Sequence, residues 1–238
     1  MKLINPYFEI LSKVDGEEIL KSIEIAGRTC YKSEDKITED SAKKFVQMIL
    51  HERHHESVIE HEKVTVKVVC DRGVSHEIVR HRLASYSQES TRYCNYSIDK
   101  FDNQITFIIP CWLDIPEGEY DQRLLNENEE WFKPLSHHYN TFDWPENYWM
   151  HTIYDIEKSY NYLIKELNWQ PQQARSVLPN SLKTEIVITY NLREWRHFFK
   201  LRTSKAAHPQ MREIACPMLD KFKELIPIIF DDIEYESN

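Results

Sequence analysis

Nine residues, Glu62 to Cys70, alternate strictly, with Val64, Val66, Val68 and Cys70 on one side and Lys63, Thr65 and Lys67 on the other. A period of two belongs to a strand with one face buried, so the chain must build a sheet and cover it. A second run, Lys183 to Tyr190 (KTEIVITY), is rich in β-branched residues and reads as the next strand. Tyr7 to Ser12 and Gln104 to Ile109 read as shorter strands. The covering layer comes from helical periodicity. Ile19, Leu20, Ile23, Ala26 and Cys30 share a face between Glu17 and Tyr31, and Ala42, Phe45, Val46, Ile49 and Leu50 do so between Glu39 and Arg53. The same spacing runs from Thr152 to Trp169 and again beyond Pro209, and Pro171 opens a short helix between. Asn191 stands where a helix cap belongs, with Glu194 at the third helical position. The expected fold is α+β: one mixed or antiparallel sheet flanked by helices, in a single compact domain over residues 1–238.

What the sheet can bind is limited by glycine. The only four, Gly16, Gly27, Gly73 and Gly118, are far apart, so neither a dinucleotide-binding fingerprint nor a P-loop can be written in this chain. Phosphates would have to be held by side chains and helix N-termini. The formal charge of −9 argues against a nucleic-acid partner, since that affinity rests on a basic surface. Five cysteines, odd in number and without a C-x-x-C pair, fit neither a disulfide framework nor a zinc ribbon and suit a reducing cytoplasm. No apolar stretch approaches the length of a membrane span, and no signal-like start is present, so a soluble cytoplasmic protein with no membrane partner is expected.

Two polar stretches stand out. Arg80 to Tyr93 (RHRLASYSQESTRY) follows an Asp71-Arg72-Gly73 turn and a helix from Val74 that is expected to run into it. Its three arginines and its hydroxyls suit phosphate or carboxylate oxygens, or else a solvated helix end paired with acids. On a helix, Arg80 and Arg82 would point about 200° apart and would serve different ligands or subunits. The other stretch is histidine-rich, HERHHESVIEH from His51 to His61. His51 and His55 at i and i+4, with His61 as a third ligand, could hold zinc for a metal-dependent hydrolase; a structural or exposed cluster is the alternative. A non-catalytic module docking phosphorylated partners through Arg80, Arg82 and Arg92 is a further possibility.

Arg80-His81-Arg82, seven further residues and then Ser90, followed by Arg92 and Tyr93, resembles the RHR-x7-S signature of flavin-dependent thymidylate synthases. The resemblance extends to His55, Glu56, Ser57 and Glu60 upstream and to Asn191, Arg193, Arg202 and His208 downstream, leaving out roughly residues 95–150. It implies reductive methylation of dUMP to dTMP, with methylenetetrahydrofolate giving the carbon, FAD relaying it and NADPH as reductant, in a homotetramer whose sites are shared between subunits. It assigns dUMP to Glu77, Arg80, Gln88, Ser90, Thr91, Arg92, Arg175 and Arg202, and FAD to Ser57, Arg80, His81, Arg82, Gln88, Asn191, Arg193, His197, Leu201 and His208, with His55 and Glu60 nearby. Arg202 would stabilise the ionised ring, Ser90 would position the nucleotide, and no metal is implied. The residue chemistry fits: Arg92 and Arg175 suit a phosphate dianion, Gln88 can read an imide edge, and a carboxylate at Glu77 belongs near base or ribose rather than phosphate. The first of two routes to uracil C5 needs an activated thiolate at C6. Cys216 reads as a core thiol and Cys94 lies off the family's serine position, so the second route, charge stabilisation of the ionised ring, is expected. Residues 112–150, acidic from Leu113 to Glu130 and aromatic around Trp144, Pro145, Tyr148 and Trp149, read as an insertion atypical of the family.

Overall fold

The computed structural model describes residues 1–121 and 145–236; most of the stretch read as an insertion, Trp144 included, lies outside them. Among the described residues the strands are β1 (Lys2–Ile4), β2 (Tyr7–Ile10), β3 (Lys63–Asp71), β4 (Ala84–Gln88), β5 (Thr106–Ile108), β6 (Gly118–Glu119) and β7 (Lys183–Asn191). The helices are α1 (Gly16–Tyr31), α2 (Ser41–Gln47), α3 (Arg72–Ile78), α4 (Pro145–Lys165), α5 (Pro171–Ala174), α6 (Leu192–Arg202), α7 (Pro209–Leu225) and α8 (Pro227–Phe230). The fold class is α+β. No helix among the described residues is long and apolar enough to cross a membrane.

The chain divides into two compact units. One comprises Met1–Pro6, Val69–His76 and Gln88–Glu185, and the other Tyr7–Val68, Glu77–Ser87 and Ile186–Asn238. In the first, β1 pairs in parallel with β5, Leu3 opposite Phe107, and antiparallel with β6, Leu3 opposite Gly118. Leu3, Ile105, Phe107, Met150, Ile153, Tyr160 and Leu182 form its core. This mixed three-stranded sheet is separate from the one that holds β3 and β7, so the expectation of one sheet is corrected to two. Sequence reading missed the division because β1 and β6 are three and two residues long, too short to show a period.

The other sheet has the order β2-β3-β7-β4. Val64, Val66 and Val68 are buried as the alternation requires, and Ile186, Ile188 and Tyr190 do the same on β7. In the second unit α6 lays Trp195, Phe198 and Phe199 inward, and the indole of Trp195 lies 4.5 Å from the Tyr190 ring and 4.9 Å from Phe222. Its Nε1–H donates to the Val64 carbonyl at 3.0 Å, so the polar end of a fully buried ring is satisfied on the sheet itself.

Gly27 is where α1 and α2 meet. A Cβ there would stand 2.5 Å from Phe45 Cε1 and 2.8 Å from Cζ, while the Arg28 guanidinium lies 4.5 Å from the centroid of the same ring. Gly27→Ala should therefore lower stability by about 1–2 kcal/mol, overpacking outweighing the helical gain of alanine. Equilibrium denaturation checks this; an alanine variant at least as stable as the parent would mean that the ring swings aside freely.

Two local expectations also change. α2 stops at Gln47 and widens into a π-helical stretch over Met48–Glu52, after which His54 takes a left-handed φ of 56°. α3 ends at Ile78, and the polar stretch beyond it contains an edge strand, β4, rather than a helix end. Alanine, serines and glutamine give ASYSQ no apolar alternation to read, although the Tyr86 side of the strand is the less exposed one.

Candidate active site

The Arg80-His81-Arg82 run lies in the turn between α3 and β4. The amides of Arg80 and His81 donate to the carbonyls of Glu77 and Ile78 at 3.2 and 3.1 Å. Here His81 is buried and both arginines are exposed. The divergence expected of Arg80 and Arg82 on a helix is replaced by a simpler alternation, imidazole in and guanidinium groups out. Two phenols brace the turn: the Tyr86 hydroxyl touches the Ile78 carbonyl at 2.9 Å, the His81 carbonyl, and the Tyr190 hydroxyl at 2.8 Å. Tyr190 in turn reaches the Ile78 carbonyl at 3.3 Å. Burial raises the pKa of both phenols, keeping their protons available as donors.

Behind the turn, His81 Nδ1 is 2.9 Å from Glu194 Oε1 and its Nε2 is 3.2 Å from Arg202 Nε. Arg202 is gripped again by Glu77, whose carboxylate accepts from Nη1 at 2.7 Å and whose carbonyl accepts from Nη2 at 3.1 Å. Three of the five guanidinium N–H groups are thus engaged, and two have no partner among the described residues. The His81 pKa is lowered, chiefly by burial, against the raising effect of Glu194 and with the Arg202 charge adding to the fall, which favours the neutral ring. His81, Glu194 and His197 bring three ligand-type atoms within 4.8 Å of one another. Both nitrogens of His81 are already hydrogen-bonded and a guanidinium adjoins, which suits an anion beside the cluster better than a cation within it.

The remaining residues expected at the flavin fall in the same unit, except Gln88. Asn191 caps α6, its side chain accepting from Glu194 N at 2.8 Å. The reciprocal half of a capping box is not made, because the Glu194 carboxylate turns to His81 instead. Arg193 and Glu60 pair at 2.5 Å. His55 Nδ1 is 3.0 Å from the Tyr31 hydroxyl, and Ser57 lies exposed in the 3-10 turn Glu56–His61. His197, 5.4 Å from His81 between ring centroids, and Leu201 are exposed along α6. His208 caps α7 through Gln210 N at 3.3 Å.

The zinc reading of His51, His55 and His61 is not supported. The letters from His51 to His55 satisfy H-E-x-x-H, but the chain leaves the helix after Glu52, so the two histidines do not stack one turn apart. His51 Nε2 bonds the Ile228 carbonyl at 2.7 Å and His55 bonds Tyr31, and these residues form no ligand cluster among the described residues.

In the other unit, the Gln88 amide donates to Ser75 Oγ at 2.9 Å and Thr184 Oγ1 at 3.2 Å. Ser90 Oγ accepts from Arg92 N at 3.3 Å, and Thr91, 8 % exposed, accepts from Arg175 Nη1 at 3.4 Å. That bond brings together two of the residues assigned to dUMP. The Arg92 guanidinium sits 5.3 Å from the Tyr93 ring centroid. Lys183 bridges Glu89 and Glu185 at 2.8 and 2.7 Å. These carboxylates are occupied internally, and Arg80, Arg82 and Arg92 have no ion pair among the described residues. Cys70, Cys94 and Cys216 are not set up as nucleophiles: burial raises the thiol pKa of all three, and Glu89 raises that of Cys94 further.

Sequence reasoning missed Glu194, Tyr86 and Tyr190. The first was absorbed into a capping motif, Tyr190 read as an ordinary strand residue, and Tyr86 fell in the polar stretch read as an anion-seeking segment or a helix end. An acid at the third position of an Asn-capped helix offered the only signal, and it is ambiguous without the tertiary partner.

Residues 10–228 match the family described as thymidylate synthase complementing protein. The chain is 33 % identical over 207 residues to the flavin-dependent thymidylate synthase of Pyrococcus furiosus, across 85 % of this chain and 72 % of that one. To the protein of that description from Corynebacterium efficiens it is 30 % identical over 226 residues, across 93 % and 82 %. In fold it resembles thymidylate synthase X (ThyX) from Helicobacter pylori, crystallised with FAD and dUMP, at a TM-score of 0.68 and 21 % identity over 96 % of this chain and 98 % of that one. A UMP/dUMP methylase, PolB from Streptomyces cacaoi bound with 5-Br dUMP, is equally similar in fold, with a TM-score of 0.68 and 22 % identity over 97 % of this chain and 96 % of that one.

Proposed function

The chain belongs to the flavin-dependent thymidylate synthase family, and from that premise we propose that it methylates dUMP to dTMP, with methylenetetrahydrofolate as carbon donor, FAD as flavin and NADPH as reductant. The observation that carries this reading is Arg202. It is a half-buried guanidinium clamped by Glu77 and His81, with two N–H donors still free among the described residues.

Carbon 5 of uracil is a weak nucleophile until charge is pushed into the ring. A fixed cation at the imide edge favours the ionised ring, and its orientation before the reaction spares reorganisation during it. Arg202 supplies that charge. The Glu77 carboxylate, already paired with it, supports a place for Glu77 at the base end of the nucleotide. Arg92 and Arg175, the latter steadied by Thr91, hold the phosphate, Gln88 reads the imide, and Ser90 positions the nucleotide. Arg80 and Arg82, exposed and unpaired among the described residues, provide the donors that a dinucleotide needs where no glycine loop exists, together with Ser57, Asn191, Arg193, His197 and His208. Bound there, FAD supplies the redox chemistry that carries the one-carbon unit. Four chains form a homotetramer, with each site shared between subunits, in a cytoplasm that keeps the thiols reduced.

Two measurements test this reading. The purified protein should carry or take up a yellow flavin chromophore and bind dUMP; a colourless protein that takes up neither would refute it. Replacing all five cysteines by serine or alanine should leave dUMP methylation within several-fold of the parent. Loss of turnover from any single replacement, with fold and flavin content intact, would restore the thiolate route.

A further inference from the structure

We propose that Glu194 is a positioning residue that selects one tautomer of His81 and through it aims Arg202. The proposal rests on the reading of Arg202 as the group that stabilises the ionised ring. A carboxylate only accepts hydrogen bonds, so the 2.9 Å contact with Glu194 requires a proton on His81 Nδ1. A guanidinium only donates, so the 3.2 Å contact with Arg202 Nε requires a lone pair on Nε2. Both demands select the same neutral tautomer. His81 is 4 % exposed and Glu194 7 %, which leaves water little access to substitute for either partner. The ring is fixed on its sides as well, by Phe198 at 5.1 Å and His197 at 5.4 Å between centroids.

The consequence lies in the alternative tautomer. With the proton on Nε2, two donors would face each other at the Arg202 contact, and the guanidinium would have to turn away. The Arg202 donor disfavours that state but can turn away from it, whereas the Glu194 carboxylate, which cannot donate to a bare Nδ1, excludes it. Glu194 is itself held by its place in the first turn of α6, where its amide is tied to Asn191. The path therefore runs from the helix cap to the carboxylate, the imidazole and the arginine, all within one unit.

Glu194→Gln keeps the size of the side chain and removes this selection, since an amide can donate to Nδ1 as readily as it accepts from it. It should lower kcat by about 10- to 100-fold, on the scale of the loss seen when the partner that orients a metal-bound imidazole is removed. KM for dUMP and flavin content should change little. Nitrogen NMR of histidine-labelled protein, with the His81 signal assigned by its absence from a His81→Asn sample, reads the tautomer directly. The parent should show a protonated Nδ1 and a bare Nε2, and Glu194→Gln should show the Nε2–H form or a mixture. A parent ring protonated at Nε2 would overturn the proposal, even if the variant failed to fold. So would a Glu194→Gln protein with unaltered tautomer or unaltered kcat. The reading beneath it fails separately: should Arg202→Ala turn over normally while the parent shows the expected tautomer, the tautomer assignment stands and only the task of Arg202 is wrong.

Discussion

Arg202→Ala should lower kcat for dUMP methylation by about 100- to 1,000-fold, the range seen when one preorganised donor to a developing negative charge is removed. The side chain is held at three N–H groups by Glu77 and His81 before any nucleotide arrives, so its direction is a property of the fold. Its loss removes the charge and leaves the Glu77 carboxylate without this partner, and at the base end proposed for it that carboxylate would repel an ionised ring. Both effects act on the reaction more than on binding, because the phosphate is assigned to Arg92 and Arg175. The flavin spectrum should be kept, and KM for dUMP should shift far less than kcat. Arg202→Lys restores a cation without the fork that His81 and Glu77 both need, and should recover only part of the rate. Steady-state kinetics on flavin-loaded protein would decide the matter; a rate within threefold of the parent for the alanine variant would remove Arg202 from the chemistry.

Equal amounts of Arg92→Ala and Arg202→Ala protein, each nearly inactive alone, should regain roughly one quarter of the parental activity after unfolding and co-refolding. If each site of a homotetramer takes Arg92 from one chain and Arg202 from another, random assembly unites two intact arginines at about one site in four. A site closed within a single chain gives no recovery, since every chain carries one lesion. Mixed oligomers demonstrated by mass, with activity still absent, would place both arginines in one chain.

Elements with a strong internal signal were legible in the sequence: β3 from its valines, β7 from its β-branched run, α1 and α7 from three-and-four spacing, and α6 from its Asn191 cap. β4 was not, because its serines and glutamine carry no hydrophobic signal and its place at the sheet edge depends on β7. α2 was read too long because the apolar pattern continues through the π-helical stretch, where the widened ladder alters the face that His51 presents. The arginines of the candidate site were legible as an anion-seeking set. Their supports were not, since Glu194 lies 113 residues from His81 and Glu77 lies 125 from Arg202, distances over which no local pattern speaks.

The most direct test of flavin-dependent methylation is mass spectrometry of the nucleotide after incubation with dUMP, methylenetetrahydrofolate and NADPH. The protein is first stripped of flavin and then resupplied with FAD. The account predicts conversion to dTMP only after FAD is returned, in the cysteine-free variant as in the parent. Formation of dTMP without flavin, or none by a fully flavin-loaded parent, would contradict it.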